Sequence, residues 1–322
     1  METIQLGPTK RTTTRLGFGC SSLMGALSRR ASLHLLHSAY DAGLRHFDVA
    51  PMYGYGEAEP CLGELLAKHR AGVTVTTKYG IAPPKNKSVL RMGRAIAGPL
   101  IRQFPAVKKR LASVAQSAAQ PAPKATFTAE QAKASLEASL TALRTDHIDI
   151  WLLHEATADD LTDDRLLRLL EDSVAEGKIG AFGVGSDGSR IEELLTRRPE
   201  YCSVLQYEWS VFDRSIPPGP PFRIHHRALT TRFTSLHAEL IANPELCRRW
   251  SHHTQTDLAD RINLAKLMLK ASLIMNPHSV ILFSSKDPRR IQANVSVASD
   301  VVLEQPALRL YELVQAEHTP AT

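Results

Sequence analysis

Ile148-Asp149-Ile150-Trp151-Leu152-Leu153-His154-Glu155 is a short apolar run rich in β-forming residues. Residues Arg165–Ile179 follow with a helical pattern, and Ala181-Phe182-Gly183-Val184-Gly185-Ser186 is a second short apolar run. A strand, a helix and a strand in this order form a βαβ unit, because two parallel strands need a crossover that carries the chain back along the sheet. The same unit recurs on both sides. Upstream, the strand-like runs are Arg15–Cys20, His46–Pro51 and Val73–Gly80; downstream they are Ser203–Ser210, Phe222–Leu229 and Ser279–Ser285. Helical patterns separate them. Leu33, Leu36, Ala39 and Tyr40 share one face of the first, and Ala132, Leu136, Leu140 and Leu143 share one face of another that opens on Thr128 and Gln131 as a capping box. Ser189–Arg197 and Pro288–Ser299 read as further crossover helices. Eight strands alternating with helices predict an α/β fold closed into a (β/α)8 TIM barrel. The competitor, an open doubly wound sheet, brings a glycine-rich phosphate turn after its first strand. Leu16-Gly17-Phe18-Gly19-Cys20 lacks the third glycine of that turn.

Residues 1–322 read as one domain with two irregular stretches. Residues 81–127 carry six prolines, and from Lys85 to Lys124 many Lys and Arg and no acidic residue; the helical composition of 90–118 interrupts an otherwise loop-like stretch. Because the segment leaves the third strand beside Lys78, the reading is a cationic lid over the barrel mouth. Residues 230–278 hold more helical pattern than one crossover needs, and prolines between Asp213 and Pro221 predict a stiff extended loop.

Composition narrows the function classes. The apolar fraction of 43% is that of a globular chain. Cys20, Cys61, Cys202 and Cys247 are scattered, with no metal-like spacing, so free thiols in a cytoplasmic protein are expected and no metal site. No apolar run is long enough for a membrane span, and Met1–Thr14 has no apolar core of a secretion signal. The net charge of +6 sits largely in 85–124. Only Phe104 and Phe127 accompany it, which argues against nucleic acid as a partner. The oligomeric state is not legible.

Barrel enzymes build their sites at the C-terminal ends of the strands. There the second strand offers Asp48 with Tyr53 just beyond it, the third ends on Lys78, and the fourth ends on His154. With the period of two, Thr74, Thr76 and Lys78 face one side, as do Ile148, Ile150, Leu152 and His154. Singly, each polar residue has an ordinary structural reading; at one rim of three successive strands they form a candidate catalytic set.

Gly43-Leu44-Arg45-His46-Phe47-Asp48-Val49-Ala50-Pro51-Met52-Tyr53-Gly54 resembles the G-x-R-x-x-D-T-A-x-x-Y-G signature of the aldo-keto reductase superfamily. Gly56-Glu57-Ala58-Glu59 with Leu62-Gly63, Thr76-Thr77-Lys78, Asp146-His147-Ile148-Asp149 with His154, and Gly177–Val184 are similar to it as well. The resemblance spans nearly the whole chain and is weakest in 81–127 and 213–278; Ala50–Gly56 looks somewhat like the aldose dehydrogenase branch. It implies an NADP(H)-dependent oxidoreductase acting on an aldehyde, ketone or sugar lactol. Tyr53 would be the general acid, Lys78 and Asp48 its supporting pair, and His154 the residue that orients the carbonyl. On this reading the Lys78 ammonium lowers the Tyr53 pKa from about 10.

For the cofactor, the resemblance implies Ser285, Lys286, Arg290 and Asn294 at the adenosine 2′-phosphate and adenine, with Ser186, Gln206 and His226 around the nicotinamide. Several positions depart from the family: Ser284 stands where lysine is common, Ala293 where glutamate is frequent, Gly185-Ser186 where Ser-Asn is usual, and His226 where an aromatic stacks. These departures leave NAD(H) open. The alternative function is a non-catalytic, nucleotide-sensing subunit with the same fold.

Overall fold

The alternation of short strands and helices closes on itself. In the computed structural model, which describes residues 1–25, 27–82, 124–214 and 219–318, eight strands form a parallel barrel. They are β1 (Leu16–Gly19), β2 (His46–Asp48), β3 (Thr74–Tyr79), β4 (Ile148–His154), β5 (Ile179–Gly185), β6 (Val204–Glu208), β7 (Phe222–His226) and β8 (Ser279–Phe283). Each pairs with the next in sequence, and β8 returns to β1 with Phe283 opposite Phe18. The chain is a (β/α)8 TIM barrel.

The expected strands to Pro51, Ser210 and Leu229 end earlier in the structure. Past Asp48 the backbone leaves the ladder for a turn, in which the Tyr53 N–H donates to the Ala50 carbonyl at 3.0 Å. After β6, the Ser210 N–H and hydroxyl both donate to Asp213 Oδ2, at 2.8 and 3.0 Å. The strand ends thus become the loops that shape the cavity.

Side-chain alternation sorts the core into two layers. Ile150 and Leu152 of β4 pack with Ala181, Val204, Ile224, Val280 and Leu282 inside the barrel. Trp151 and Leu153 face outward, into the cluster between the sheet and its helices. Those helices are α1 (Arg29–Asp41), α2 (Ala58–His69), α3 (Ala129–Leu143), α4 (Asp164–Ala175) and α5 (Gly188–Arg197). Thr128 caps α3 by accepting from the Gln131 N–H, and Asp163 and Asp187 cap the next two. Asp149, polar in an apolar strand, is fully buried and accepts from Arg70 at 2.9 Å and from the Val75 N–H at 2.8 Å. It ties β4 to β3 at the end remote from the rim.

The polar N-terminus has a structural use that its composition did not announce. Thr3–Gln5 pairs antiparallel with Thr12–Thr14, and Leu6, just past the first of these strands, is fully buried in the inner cluster. The hairpin therefore floors the barrel.

Between β7 and β8 lie α6 (Thr231–Ala242), α7 (Pro244–Thr254) and α8 (Arg261–Met275). With α10 (Glu304–His318) they enclose a second apolar cluster that includes Trp250, Leu264 and Leu310. The helix α9 (Pro288–Ser299) follows β8. The stretch read as a basic lid lies outside the described residues except at its ends. Ile81 bridges Lys124, and the Ala125 N–H donates to the Gly80 carbonyl at 2.7 Å. No helix among the described residues is long and apolar enough to cross a membrane, and no group of three or more His, Cys, Asp or Glu among them could hold a metal.

Candidate active site

Three consecutive strands deliver their last polar residues to one cavity. Asp48 ends β2, Lys78 lies one residue before the end of β3, and His154 ends β4. Tyr53 enters from the turn after β2. All four line a cavity of about 490 Å³ at the C-terminal rim, together with Gly185, Ser186, Gln206, His226 and Asn294.

Asp48 and Lys78 are both buried, at 4% and 2% exposure, and each satisfies the other. Lys78 Nζ donates to Asp48 Oδ1 and Oδ2 at 2.7 Å each, and to the Val49 carbonyl at 3.2 Å. Gln206 Nε2, from β6 across the barrel, donates to Asp48 Oδ2 at 2.7 Å. A charge pair this deep is tolerable only because its hydrogen bonds are made. One layer below, His46 shares hydrogens with Thr74 at 3.0 Å and Thr76 at 3.3 Å, so the inward polar residues of β2 and β3 are partnered throughout.

Tyr53 is half-buried beside this pair, with Lys78 Nζ 5.8 Å from its ring centroid. Its turn is sterically set. Gly54 takes φ of 58°, and a Cβ there would lie 2.6 Å from the Leu23 carbonyl oxygen. A side chain on the residue after Tyr53 would push the turn off the β1–α1 loop.

Burial raises the Tyr53 pKa above its ordinary value, and the negative charge of Asp48 adds to this, with Arg227 opposing. This corrects the expectation that Lys78 lowers it. The ammonium is committed to both oxygens of Asp48, and burial dominates. His154 is lowered to about 3, first by burial and then by the charge of Lys78 and by His226. His226, at the end of β7, is lowered to about 4 for the same leading reason, with Lys78 and Arg227 contributing. The cavity thus holds a protonated phenol and two neutral imidazoles at neutral pH.

The other residues singled out in the sequence divide. Ser186 is buried, its N–H donates to the Gln206 carbonyl at 3.0 Å, and its hydroxyl has no partner. Ser285 turns away: its hydroxyl donates to the Asp287 carbonyl and accepts from the Asp287 N–H, both at 3.0 Å, and it does not line the cavity. Lys286 and Arg290 are exposed around the start of α9, outside the lining. Ser284 lines the cavity instead, with its hydroxyl on the Gly19 carbonyl at 2.8 Å. Glu155, Asp187, Glu208 and Arg227 also line it and escaped the sequence reading. Glu155 and Arg227 each directly follow a singled-out histidine, which was the available signal.

Residues 15–220 match the model of the aldo/keto reductase family. The chain belongs to that family. Its members are oxidoreductases, and among similar proteins is the D-threo-aldose 1-dehydrogenase of a Pseudomonas species, 32% identical over 196 residues, or 56% of this chain and 52% of that one. The pyridoxal 4-dehydrogenase of Microbacterium luteolum is 39% identical over 97 residues, or 25% of this chain and 28% of that one. The matched stretches therefore span about half or less of these two relatives. An aldo-keto reductase from Klebsiella pneumoniae, solved in complex with NADPH, superposes with a TM-score of 0.64 at 18% identity, covering 98% of each chain. That likeness concerns the aldo-keto reductase barrel as a fold.

Proposed function

We propose that this chain is an NADP(H)-dependent oxidoreductase that interconverts a carbonyl and an alcohol, with Tyr53 giving or taking the proton. What supports this most is the convergence of Asp48, Tyr53, Lys78 and His154 on one cavity, with the charge pair buried and fully bonded. The residues present suit a dinucleotide. The unpartnered Ser186 hydroxyl and the Gln206 side chain offer polar groups to a carboxamide, and His226 offers a flat ring. Asn294 lies on the cavity wall, and Lys286 and Arg290 put cations at the start of α9, where a phosphate dianion is favoured. The NADPH of the Klebsiella neighbour is consistent with this assignment.

The cofactor supplies the hydride when bound; the chain's own part is the proton. Tyr53, kept protonated by burial, holds it at Oη for an oxygen that gains negative charge. His154, kept neutral, can donate one N–H to the same oxygen without adding a charge. Lys78 and Asp48 keep the floor polar and rigid. Carbonyl reduction uses the phenol as it stands; alcohol oxidation needs the phenolate first.

The test is cofactor titration by fluorescence together with NADPH consumption on a panel of aldehydes, ketones and sugars. NADPH should bind, and Arg290→Ala should weaken NADPH roughly tenfold or more while sparing NADH, because only NADPH carries the 2′-phosphate. Equal weakening of both places the phosphate elsewhere. Binding without turnover on any carbonyl returns the nucleotide-sensing reading.

A further inference from the structure

Glu155 follows His154 directly and has φ of 58°, a left-handed conformation that costs free energy for any residue with a Cβ. The turn is fixed by its own N–H, which donates to the Gly185 carbonyl at 2.7 Å and carries the β4–β5 pairing one residue past the strand. The backbone thus bends where it leaves the histidine, and the Glu155 side chain becomes part of the cavity wall.

The charges on that wall do not balance. Its carboxylates are Asp48, Glu155, Asp187 and Glu208, and its Lys and Arg residues are Lys78 and Arg227. Lys78 is matched by Asp48, and Arg227 pairs with Glu208. Glu155 and Asp187 are left to share Arg190, at 2.6 and 3.3 Å, and Arg190 is not in the lining. Among the described residues, one negative charge is in excess. A carboxylate has about four acceptor sites, and a single arginine N–H leaves most of those on Glu155 open. Consecutive Cα atoms lie about 3.8 Å apart, so these acceptors stand one residue from the imidazole assigned to the carbonyl oxygen.

We propose that Glu155, which shares Arg190 with Asp187, is a specificity-determining acceptor for hydroxyl groups next to the substrate carbonyl. The site then favours neutral, hydroxylated, sugar-type aldehydes and disfavours aldehydes that carry a carboxylate. Hydroxyls donate to the open lone pairs, whereas a second carboxylate meets uncompensated negative charge. This assignment rests on the carbonyl-reduction reading above.

The experiment measures kcat/KM with NADPH for glyceraldehyde, butanal and succinic semialdehyde, in the unaltered protein and in Glu155→Ala and Glu155→Gln. The glyceraldehyde-to-butanal ratio should fall about tenfold or more in Glu155→Ala, the loss of a charge-assisted hydrogen bond. The succinic semialdehyde-to-butanal ratio should rise several-fold in Glu155→Gln, which removes the charge and keeps the shape. If Glu155→Ala does not fold, the Gln variant alone decides the question. Ratios unchanged within about twofold would overturn the proposal and reduce Glu155 to a partner for Arg190. No NADPH consumption by the unaltered protein on these three aldehydes overturns this proposal, and the carbonyl-reduction reading falls with it only when the ketones and sugars of the wider panel fail too; turnover with unchanged ratios overturns this one alone.

Discussion

Replacing Lys78 with Met tests the energetics of the site without reference to catalysis. Asp48 accepts three side-chain hydrogen bonds, two from Lys78 and one from Gln206, and is 4% exposed. Among the described residues, the variant removes the only cation bonded to it and leaves one side-chain bond. Breaking a buried pair from one side costs about 3–5 kcal/mol, because the remaining charge has no compensation. An independent bound agrees. A carboxylate of ordinary pKa near 3.9 escapes that penalty at pH 7 by taking a proton, which costs about 4 kcal/mol. Lys78→Met should therefore lose about 3–4 kcal/mol. Adding Asp48→Asn removes the stranded charge and should recover most of the loss. Urea unfolding followed by tryptophan fluorescence reads this directly, since Trp151, Trp209 and Trp250 are all buried. A loss under about 1 kcal/mol in the single variant, or a double variant no more stable than the single one, would refute the description of the floor as a mutually dependent buried pair.

Three further outcomes concern the protonation states and the floor of the barrel. Because burial raises the Tyr53 pKa and holds His154 near 3, the rate of carbonyl reduction should show no break from either group between about pH 6 and 9, while alcohol oxidation should rise with pH throughout; a pH–rate profile with a reduction break near 6.5 would contradict the neutral imidazole. The same burial keeps His46, His154, His225 and His226 neutral when folded, with pKa values near 3 or 4 against about 6.5 unfolded. Their contribution is present above pH 6.5 and is lost on acidification, up to about 1.4 kcal/mol per pH unit for each, as equilibrium unfolding between about pH 6.5 and 5 would record. Leu6→Ala should cost about 2–5 kcal/mol if the N-terminal hairpin floors the barrel, and under about 1 kcal/mol in thermal or urea unfolding if it does not.

The barrel was legible because its signal is repeated: eight apolar runs of strand length, most of them separated by a helical period and the sixth and seventh by a proline-rich loop, point to one closure. The rim residues Asp48, Lys78 and His154 were legible for a related reason. A polar residue at the end of an inward-facing, period-two row has few places to go in a barrel. The hairpin was not, since its strands are three residues long and only Leu6 betrays burial. Tyr53's proton affinity was misread because a sequence shows that a lysine is near but not that its ammonium is spent on both oxygens of Asp48. Ser285 was assigned to the adenosine 2′-phosphate by motif position, and a sequence does not show that the local turn at Asp287 occupies its hydroxyl. The φ of Glu155 is a property of the β4–β5 closure, and no residue type in the stretch announces it.

The central claim is that Tyr53 transfers the proton while NADPH reduces a carbonyl over this cavity. Its most direct measurement compares single-turnover NADPH oxidation by the unaltered protein and by Tyr53→Phe, each saturated with cofactor and a reducible aldehyde. The unaltered protein should oxidise NADPH with one equivalent of alcohol formed. Tyr53→Phe should bind NADPH with unchanged affinity and react about 10²–10⁴-fold more slowly. A Tyr53→Phe protein that reduces the aldehyde at the unaltered rate would contradict the account.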